Sequence, residues 1–370
     1  MTTEPGMSPE VAARTKGLRT GWTTGTCASA AAKAATLGLL EGTAPSEVEV
    51  GLPDGRRVRF PVEPSTIDPA PNRCVVVKDA GDDPDCTDGA RMTAEITWTE
   101  TVGELRAGPG IGTVTRPGLG LAVGAPAINP VPRRMILAAI AEVTDQPVVA
   151  TFSVPGGEQM AERTSNARLG IVGGISILGT TGVVRPFSTA SYRASVVQQI
   201  DVAAAQGHET IVLSTGSRSD QAAQRFRVEL GLAGDLDDVC FVEVGDFTGI
   251  ALRHAAGLGM RRVVFVGMAG KIAKLAAGIM MTHFHRSKVD GGLLAELAVE
   301  AGASPSVVAA ATETATARHF YEVCVAAGET KPLQLLCQRA VNSCVAHVAG
   351  AMTAEVVMVD FEGERLVARA

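Results

Sequence analysis

Apolar and polar positions follow two different rhythms along this chain, and the change of rhythm organises it. Residues 23–40 are Ala-rich, of high helix propensity, and are entered through a Thr/Gly-rich turn whose threonines suit a cap, which predicts a helix. The period then shortens. Residues 46–52 and 56–62 alternate on either side of Pro53-Asp54-Gly55, a turn sequence, and predict a hairpin. Further strands are expected at 73–78 and 92–98, and another helix at 132–143. Helices among hairpin-type strands predict an α+β N-terminal region with antiparallel pairing.

The second half reads differently. Apolar, β-branched runs at 210–213, 239–244 and 262–266 alternate with helical stretches at 220–230, 247–258 and 271–281, the signature of parallel βαβ units. A helix over 192–206 leads into the first of these strands, residues 293–352 are Ala-rich and helical, and 355–361 is a closing strand. The expected fold is α/β overall: an α+β N-terminal domain with glycine-rich loops followed by a Rossmann-like α/β domain with a mostly parallel sheet and a helical C-terminal part. The expected organisation is a flexible N-terminus over 1–17, a first domain over 18–190 and a second over 191–370, with the boundary near 186–192. No internal repeat is evident.

With 46% hydrophobic and 19% charged residues, the 370-residue chain belongs with ordinary globular proteins. Its net charge of −6 opposes a phosphate backbone, no basic run offsets it, and 4% aromatics leave few stacking platforms, so nucleic acid is not an expected partner. No segment reaches the ~20 consecutive apolar residues of a membrane span, and residues 1–16 lack the apolar core of a signal peptide, so a cytoplasmic location is expected. The seven cysteines form no CxxC pair and are expected as reduced thiols. His283 and His285 are two residues apart, which on a helix turns them to different faces, and Cys344 with His347 is no stronger, so no protein-bound metal is expected.

Glycine-rich segments carry the candidate chemistry, because glycine lets backbone N–H groups approach a ligand closely. Gly118 to Gly124 resembles a dinucleotide turn with one residue too many and lacks a flanking strand and helix. Gly267-Met268-Ala269-Gly270-Lys271 follows a strand and opens a helix, the geometry for an anion, although Ile272 stands where a Walker loop has Ser or Thr; a plain strand-to-helix turn fits equally well. The densest stretch runs from Leu169 to Gly182, between Arg168 and Arg185. It reads as a ligand cradle flanked by guanidinium groups, or as a buried strand pair with a tight turn at 179–182, and the cradle is the preferred reading.

Four carboxylates stand within Asp79-Ala80-Gly81-Asp82-Asp83-Pro84-Asp85. Crowded like charges raise one another's pKa and can keep a proton acceptor available near neutrality, and a solvated turn accounts for the same residues.

The string Leu18-Arg19-Thr20-Gly21-Trp22-Thr23-Thr24-Gly25-Thr26-Cys27-Ala28 resembles the N-terminal signature of the cobalt-precorrin-5B C1-methyltransferases of anaerobic cobalamin synthesis. Similar blocks follow in order at 78–85, 112–119, 126–133, 153–157, 169–182 and 270–278, so the resemblance covers about 18–290. The chain departs from the family's pattern at Met268 and Asp88, where histidines are usual, at Phe284 after Thr282-His283, and at Ser214-Thr215-Gly216-Ser217. A role that relatives give to those histidines does not carry over.

The resemblance implies methyl transfer from S-adenosylmethionine to C1 of a corrin precursor, giving cobalt-precorrin-6A and S-adenosylhomocysteine, with the cobalt belonging to the substrate. It implies a small, carboxylate-rich tetrapyrrole as partner, and leaves a homo-oligomer open. Asp82, Asp83 and Asp85 are then the candidate bases. Thr23, Thr24, Thr26, Arg116, Arg133, Arg168 and Arg185 are the candidate substrate contacts, since arginine forks bind carboxylates; Arg134 and Arg193 stand in or beside the same blocks. Gly173, Gly174, Gly179, Thr180, Thr181, Gly182, Gly267, Gly270 and Lys271 are the candidates for S-adenosylmethionine. A nucleotide-dependent oxidoreductase and a non-catalytic corrinoid-binding protein are the rival readings.

Overall fold

The computed structural model describes residues 17–65, 68–232, 236–282, 291–314 and 316–370; residues 1–16, His283, Phe284 and His285 lie outside them. The chain is a mixed α/β protein with several sheets and both parallel and antiparallel pairing. It divides into two compact units, Met1–Ala190 and Ser191–Ala370.

The first unit is built around the helix Thr24–Glu41, which is buried along most of its length. Thr23 caps it in extended backbone, its Oγ1 accepting from the Thr26 N–H at 3.2 Å, and Gly42 ends it in left-handed backbone at φ +71°. Apolar or small residues on every face mark a helix with neighbours all round. Those neighbours are the strands Arg73–Val77 and Arg91–Trp98, the strand Glu47–Gly51, and the helix Pro130–Ala141. Small side chains let them come close: a Cβ on Gly38 would lie 1.8 Å from the Pro71 carbonyl oxygen.

Beneath the helix lies a five-stranded sheet in the order Glu63–Pro64, Arg73–Val77, Arg91–Trp98, Val148–Ser153, Glu104–Ala107. Its pairings are antiparallel except the last, which is parallel. Met92, Ala94 and Ile96 alternate inward from one strand and Val148, Ala150 and Phe152 from its neighbour, and all six are buried. The expected hairpin is present, Glu47–Gly51 pairing antiparallel with Arg57–Pro61. Val148–Ser153, central to the sheet, is absent from the elements expected from the sequence.

The second unit holds another five-stranded sheet: Phe241–Glu243, Thr210–Ser214, Arg262–Gly267, Thr353–Val359, Leu366–Arg369. The first four strands run parallel and the fifth antiparallel. Val263 to Val266 and Val356 to Val359 are continuous apolar runs at 1% exposure or less, as strands covered on both faces require. The Ala-rich stretch is four helices, Gly291–Glu300, Pro305–Glu313, Ala317–Ala326 and Lys331–His347, rather than one continuous block. Proline in the first turn of the second and fourth helps set where each begins. The helix expected at 271–281 is Ala269–Ala276, and that expected at 220–230 is Ser217–Arg225.

Candidate functional site

In the first unit the N-terminus of the buried helix, the glycine-rich segment and the acidic turn come together. Thr24 Oγ1 donates to the Ser176 carbonyl at 3.1 Å and accepts from the Leu178 N–H at 2.9 Å, Thr26 Oγ1 donates to the Gly182 carbonyl at 2.7 Å, and Gly25 N donates to the Leu178 carbonyl at 3.1 Å. Thr23, Thr24 and Thr26 are buried. Of these expected substrate contacts, Thr24 and Thr26 use their hydroxyls to clamp the loop 176–182 onto the helix, and Thr23 turns its own to Thr26 as the helix cap.

The glycine-rich segment is neither a strand pair nor a uniformly open loop. Ile171–Val172 pairs antiparallel with Thr113–Val114, and Gly174–Ile175 pairs parallel with Gly110–Ile111. Close approach explains several glycines: a Cβ on Gly174 would lie 2.1 Å from the Gly110 carbonyl, one on Gly179 would lie 2.5 Å from the Thr23 side chain, and one on Gly182 would lie 2.8 Å from Leu52. Gly173 is exposed, at φ +90°, with nothing within 4 Å of where its Cβ would stand. Thr180 and Thr181 are exposed at the turn. Asn166, which the sequence reading missed, is buried and holds the segment by donating Nδ2 to the Gly174 carbonyl at 3.0 Å.

The acidic turn packs against the chain that enters the helix. Thr20 bridges to Gly81, and the Trp22 N–H donates to the Asp79 carbonyl at 2.7 Å. The three aspartates expected to act as bases have different lives. Asp85 is committed: Oδ2 accepts from Lys78 Nζ at 2.7 Å, and Oδ1 accepts from Thr87 N and Oγ1, both at 2.7 Å. Burial works against its ionisation, yet the Lys78 ammonium and these hydrogen bonds outweigh it and hold the carboxyl below its usual range. A locked carboxylate is a poor proton acceptor. Asp83 Oδ1 accepts from the Phe187 N–H at 2.9 Å, and exposed Asp82 uses Oδ2 to accept from the Arg19 N–H at 2.6 Å. Arg19 also pairs with Asp79, whose carboxyl is held low by that hydrogen bond and by the Gly81 N–H.

Lys78 has a sequence signal that was available, a lysine ending an apolar strand immediately before a run of aspartates. Phe187 has none. Of the arginines, Arg133 and Arg185 are exposed, while Arg116 and Arg168 are half-buried; the Arg116 stem lies over Gly170, where a Cβ would meet its Cγ at 2.5 Å.

In the second unit, Gly267 and Thr215 meet at the C-terminal ends of adjacent parallel strands, a Cβ on Gly267 lying 3.6 Å from the Thr215 methyl carbon. Counted along this unit, the strands run second, first, third, fourth, fifth, so the order reverses between these two strands, where crevices form in open sheets. Nothing lies within 4 Å of a Cβ placed on Gly270. The Lys271 ammonium pairs with Asp246 and donates to the Thr282 carbonyl at 3.0 Å. Ser219 Oγ accepts from the Thr215 and Gly216 N–H groups, both at 3.1 Å, so these amides are engaged by the protein. No three His, Cys, Asp or Glu side chains converge as a metal site among the described residues.

Two family models match the chain, CbiD over residues 11–186 and the CbiD C-terminal domain over residues 281–370. The chain is 56% identical over 371 residues to a cobalt-precorrin-5B C(1)-methyltransferase of Salinispora arenicola, covering 99% of this chain and 96% of the relative. It is 56% identical over 367 residues to one of Rubrobacter xylanophilus, covering 97% and 93% respectively, and 47% identical over 360 residues to one of Methylococcus capsulatus, covering 95% and 93%. Among solved structures it resembles the cobalamin biosynthesis protein (cbiD) of Archaeoglobus fulgidus, at 25% identity and a TM-score of 0.39, covering 84% of this chain and 85% of that one.

Proposed function

This chain belongs to the CbiD family, and from that membership we propose that it transfers a methyl group from S-adenosylmethionine to C1 of cobalt-precorrin-5B, giving cobalt-precorrin-6A and S-adenosylhomocysteine in cobalamin biosynthesis. The observation that carries the reading is 56% identity to relatives of that name over 99% of the chain. The cytoplasmic location expected from the sequence goes with it.

The chemistry asks little of the protein beyond alignment. The sulfonium is already a strong donor, so holding C1 in line with the methyl carbon supplies much of the rate. The S–CH₃ bond breaks with its electron pair going to sulfur, the C1–CH₃ bond forms, and one proton leaves. We assign that proton to Asp82: Asp85 is locked to Lys78, and of the two that each accept one backbone N–H, Asp83 is half-buried and Asp82 exposed. Arg185 and Arg133, exposed in the first unit, suit the substrate's peripheral carboxylates.

The second unit, read as Rossmann-like, fits S-adenosylmethionine at its switch point. The Ser214–Gly216 and Gly267–Gly270 segments follow the two strands at that point, and Glu243, exposed at the end of the neighbouring strand, is the acidic residue assigned to the ribose hydroxyls.

Anaerobic incubation with cobalt-precorrin-5B and methyl-labelled S-adenosylmethionine tests the reaction by mass. A gain of one labelled methyl is expected, and an intact substrate that acquires none on folded protein overturns it. Asp82→Asn is expected to lower kcat about 100-fold with little change in either KM. Gly270→Ala, whose added Cβ has nothing within 4 Å, is expected to raise the KM for S-adenosylmethionine alone.

A further inference from the structure

Phe187 sits in left-handed backbone at φ +56°, in company with two other non-glycine residues among those described, Asp68 and Ala349. An aspartate tolerates that conformation through its short polar side chain, and Ala349 bears the Cβ cost of it without further bulk. A phenylalanine is a different matter, and a bulky residue there needs surroundings that force it. The forcing groups are identifiable. The Phe187 N–H donates to Asp83 Oδ1 at 2.9 Å, and Val183–Val184, just upstream, is pinned antiparallel to Gly21–Trp22 at the mouth of the buried helix.

Core packing does not repay this arrangement, because Phe187 is 54% exposed. A strained backbone that holds a large apolar ring out in solvent is favourable only when something covers the ring. Arg185, exposed two residues away, gives the same stretch a carboxylate-binding fork, and Leu178, 47% exposed on the same segment, adds apolar surface. An exposed apolar ring with an exposed arginine two residues away in sequence matches a ligand with an apolar centre and a rim of carboxylates.

We propose that Phe187 is a platform on which the face of the corrinoid macrocycle stacks, and that Asp83 is the positioning residue that holds it there. The inference rests on the corrinoid reading of this protein and adds to it the residue that meets the ring face. Asp83 acts through the Phe187 amide and takes no part in the methyl transfer itself.

The test combines stability with binding in the full chain. Phe187→Gly removes both the strain and the ring: its melting temperature is expected to rise while the Kd for cobalt-precorrin-5B, from absorbance titration of the corrinoid, weakens about five- to tenfold. The KM for S-adenosylmethionine stays unchanged, and Phe187→Tyr retains wild-type affinity. Asp83→Ala weakens corrinoid binding in the wild-type background and has no further effect in Phe187→Gly, because its influence passes through the ring. A lower melting temperature with unchanged corrinoid affinity in Phe187→Gly makes the ring a packing residue and overturns the proposal, and so does an undiminished effect of Asp83→Ala in the glycine background. Because the titration needs no turnover, a wild-type protein that binds the corrinoid but transfers no methyl refutes the methyltransferase reading while leaving the platform tested.

Discussion

Lys78 is a charge with almost no access to water: its side chain is 1% exposed, against 23% for its partner Asp85. Removing one member of such a pair leaves the other buried and uncompensated, which costs more than the pair contributes net. Asp85→Asn is therefore expected to destabilise the protein by about 3 kcal/mol at pH 7, read from the urea midpoint, with Lys78→Met restoring much of the loss in the double variant. The pH dependence has a definite sign. The Asp85 carboxyl titrates lower when folded than when unfolded, so its contribution is present above the ordinary carboxyl range near pH 4 and disappears as pH falls through the folded value. Wild-type stability should fall more steeply below about pH 4 than that of Asp85→Asn. If the two curves are parallel, the pair is not what ties this turn to pH.

The neighbouring glycines Gly173 and Gly174 separate the two reasons for glycine at one place in the chain. Alanine at 174 would set its Cβ 2.1 Å from backbone that cannot yield, whereas alanine at 173 meets nothing and bears only its positive φ. Gly173→Ala is expected to cost about 1 kcal/mol and Gly174→Ala several times as much, measured by chemical denaturation. The glycines of 169–182 are legible in the sequence as a special backbone. Which of them accommodates another strand and which faces solvent depends on Gly110, some 60 residues away, and no local pattern reports that.

At the scale of elements, the Thr24–Glu41 helix sets propensity against packing. Alanine is favoured over glycine in a helix by about 1 kcal/mol, yet a Cβ on Gly38 would stand 1.8 Å from the Pro71 carbonyl oxygen. Overpacking against backbone exceeds that gain, so Gly38→Ala should lower the melting temperature, and a rise would mean that the 71–72 turn gives way freely. Long periodic elements were legible: this helix, the 47–61 hairpin, and the parallel strands beginning at Thr210 and Arg262 all lie where the hydrophobic rhythm puts them. The pairings that shape the candidate site were not. Gly110–Ile111 with Gly174–Ile175 and Gly21–Trp22 with Val183–Val184 are two residues long, too short to show a period, and each joins segments more than 60 residues apart. Thr23, Thr24 and Thr26 were legible as a helix entry, and Thr23 does cap it, but the hydroxyl partners of Thr24 and Thr26 come from 176–182, so their work as a clamp was hidden for the same reason.

For the molecule as a whole, each unit has its own sheet and its own core. The first is centred on Phe152, Met92 and Ile96, and the second on Phe241, Phe265 and Ile211, all fully buried. The sheet of the second unit closes within residues 210–369, and its first helix, Thr189–Ala205, begins at the division between the units. A chain of that length buries enough surface to fold alone, and its valine-rich strands are covered by helices drawn from the same segment. We therefore propose that a fragment starting at Ser188, which keeps the Thr189–Ala205 helix whole, folds independently. Cooperative thermal unfolding with dispersed amide resonances is the expected result. It would make S-adenosylmethionine binding measurable on the fragment, away from the acidic turn and the glycine-rich segment. Strong binding of a hydrophobic dye with no cooperative transition would mean that this sheet needs the rest of the chain to pack, and the ligand assignment to the switch point would then have to be tested in the full protein alone.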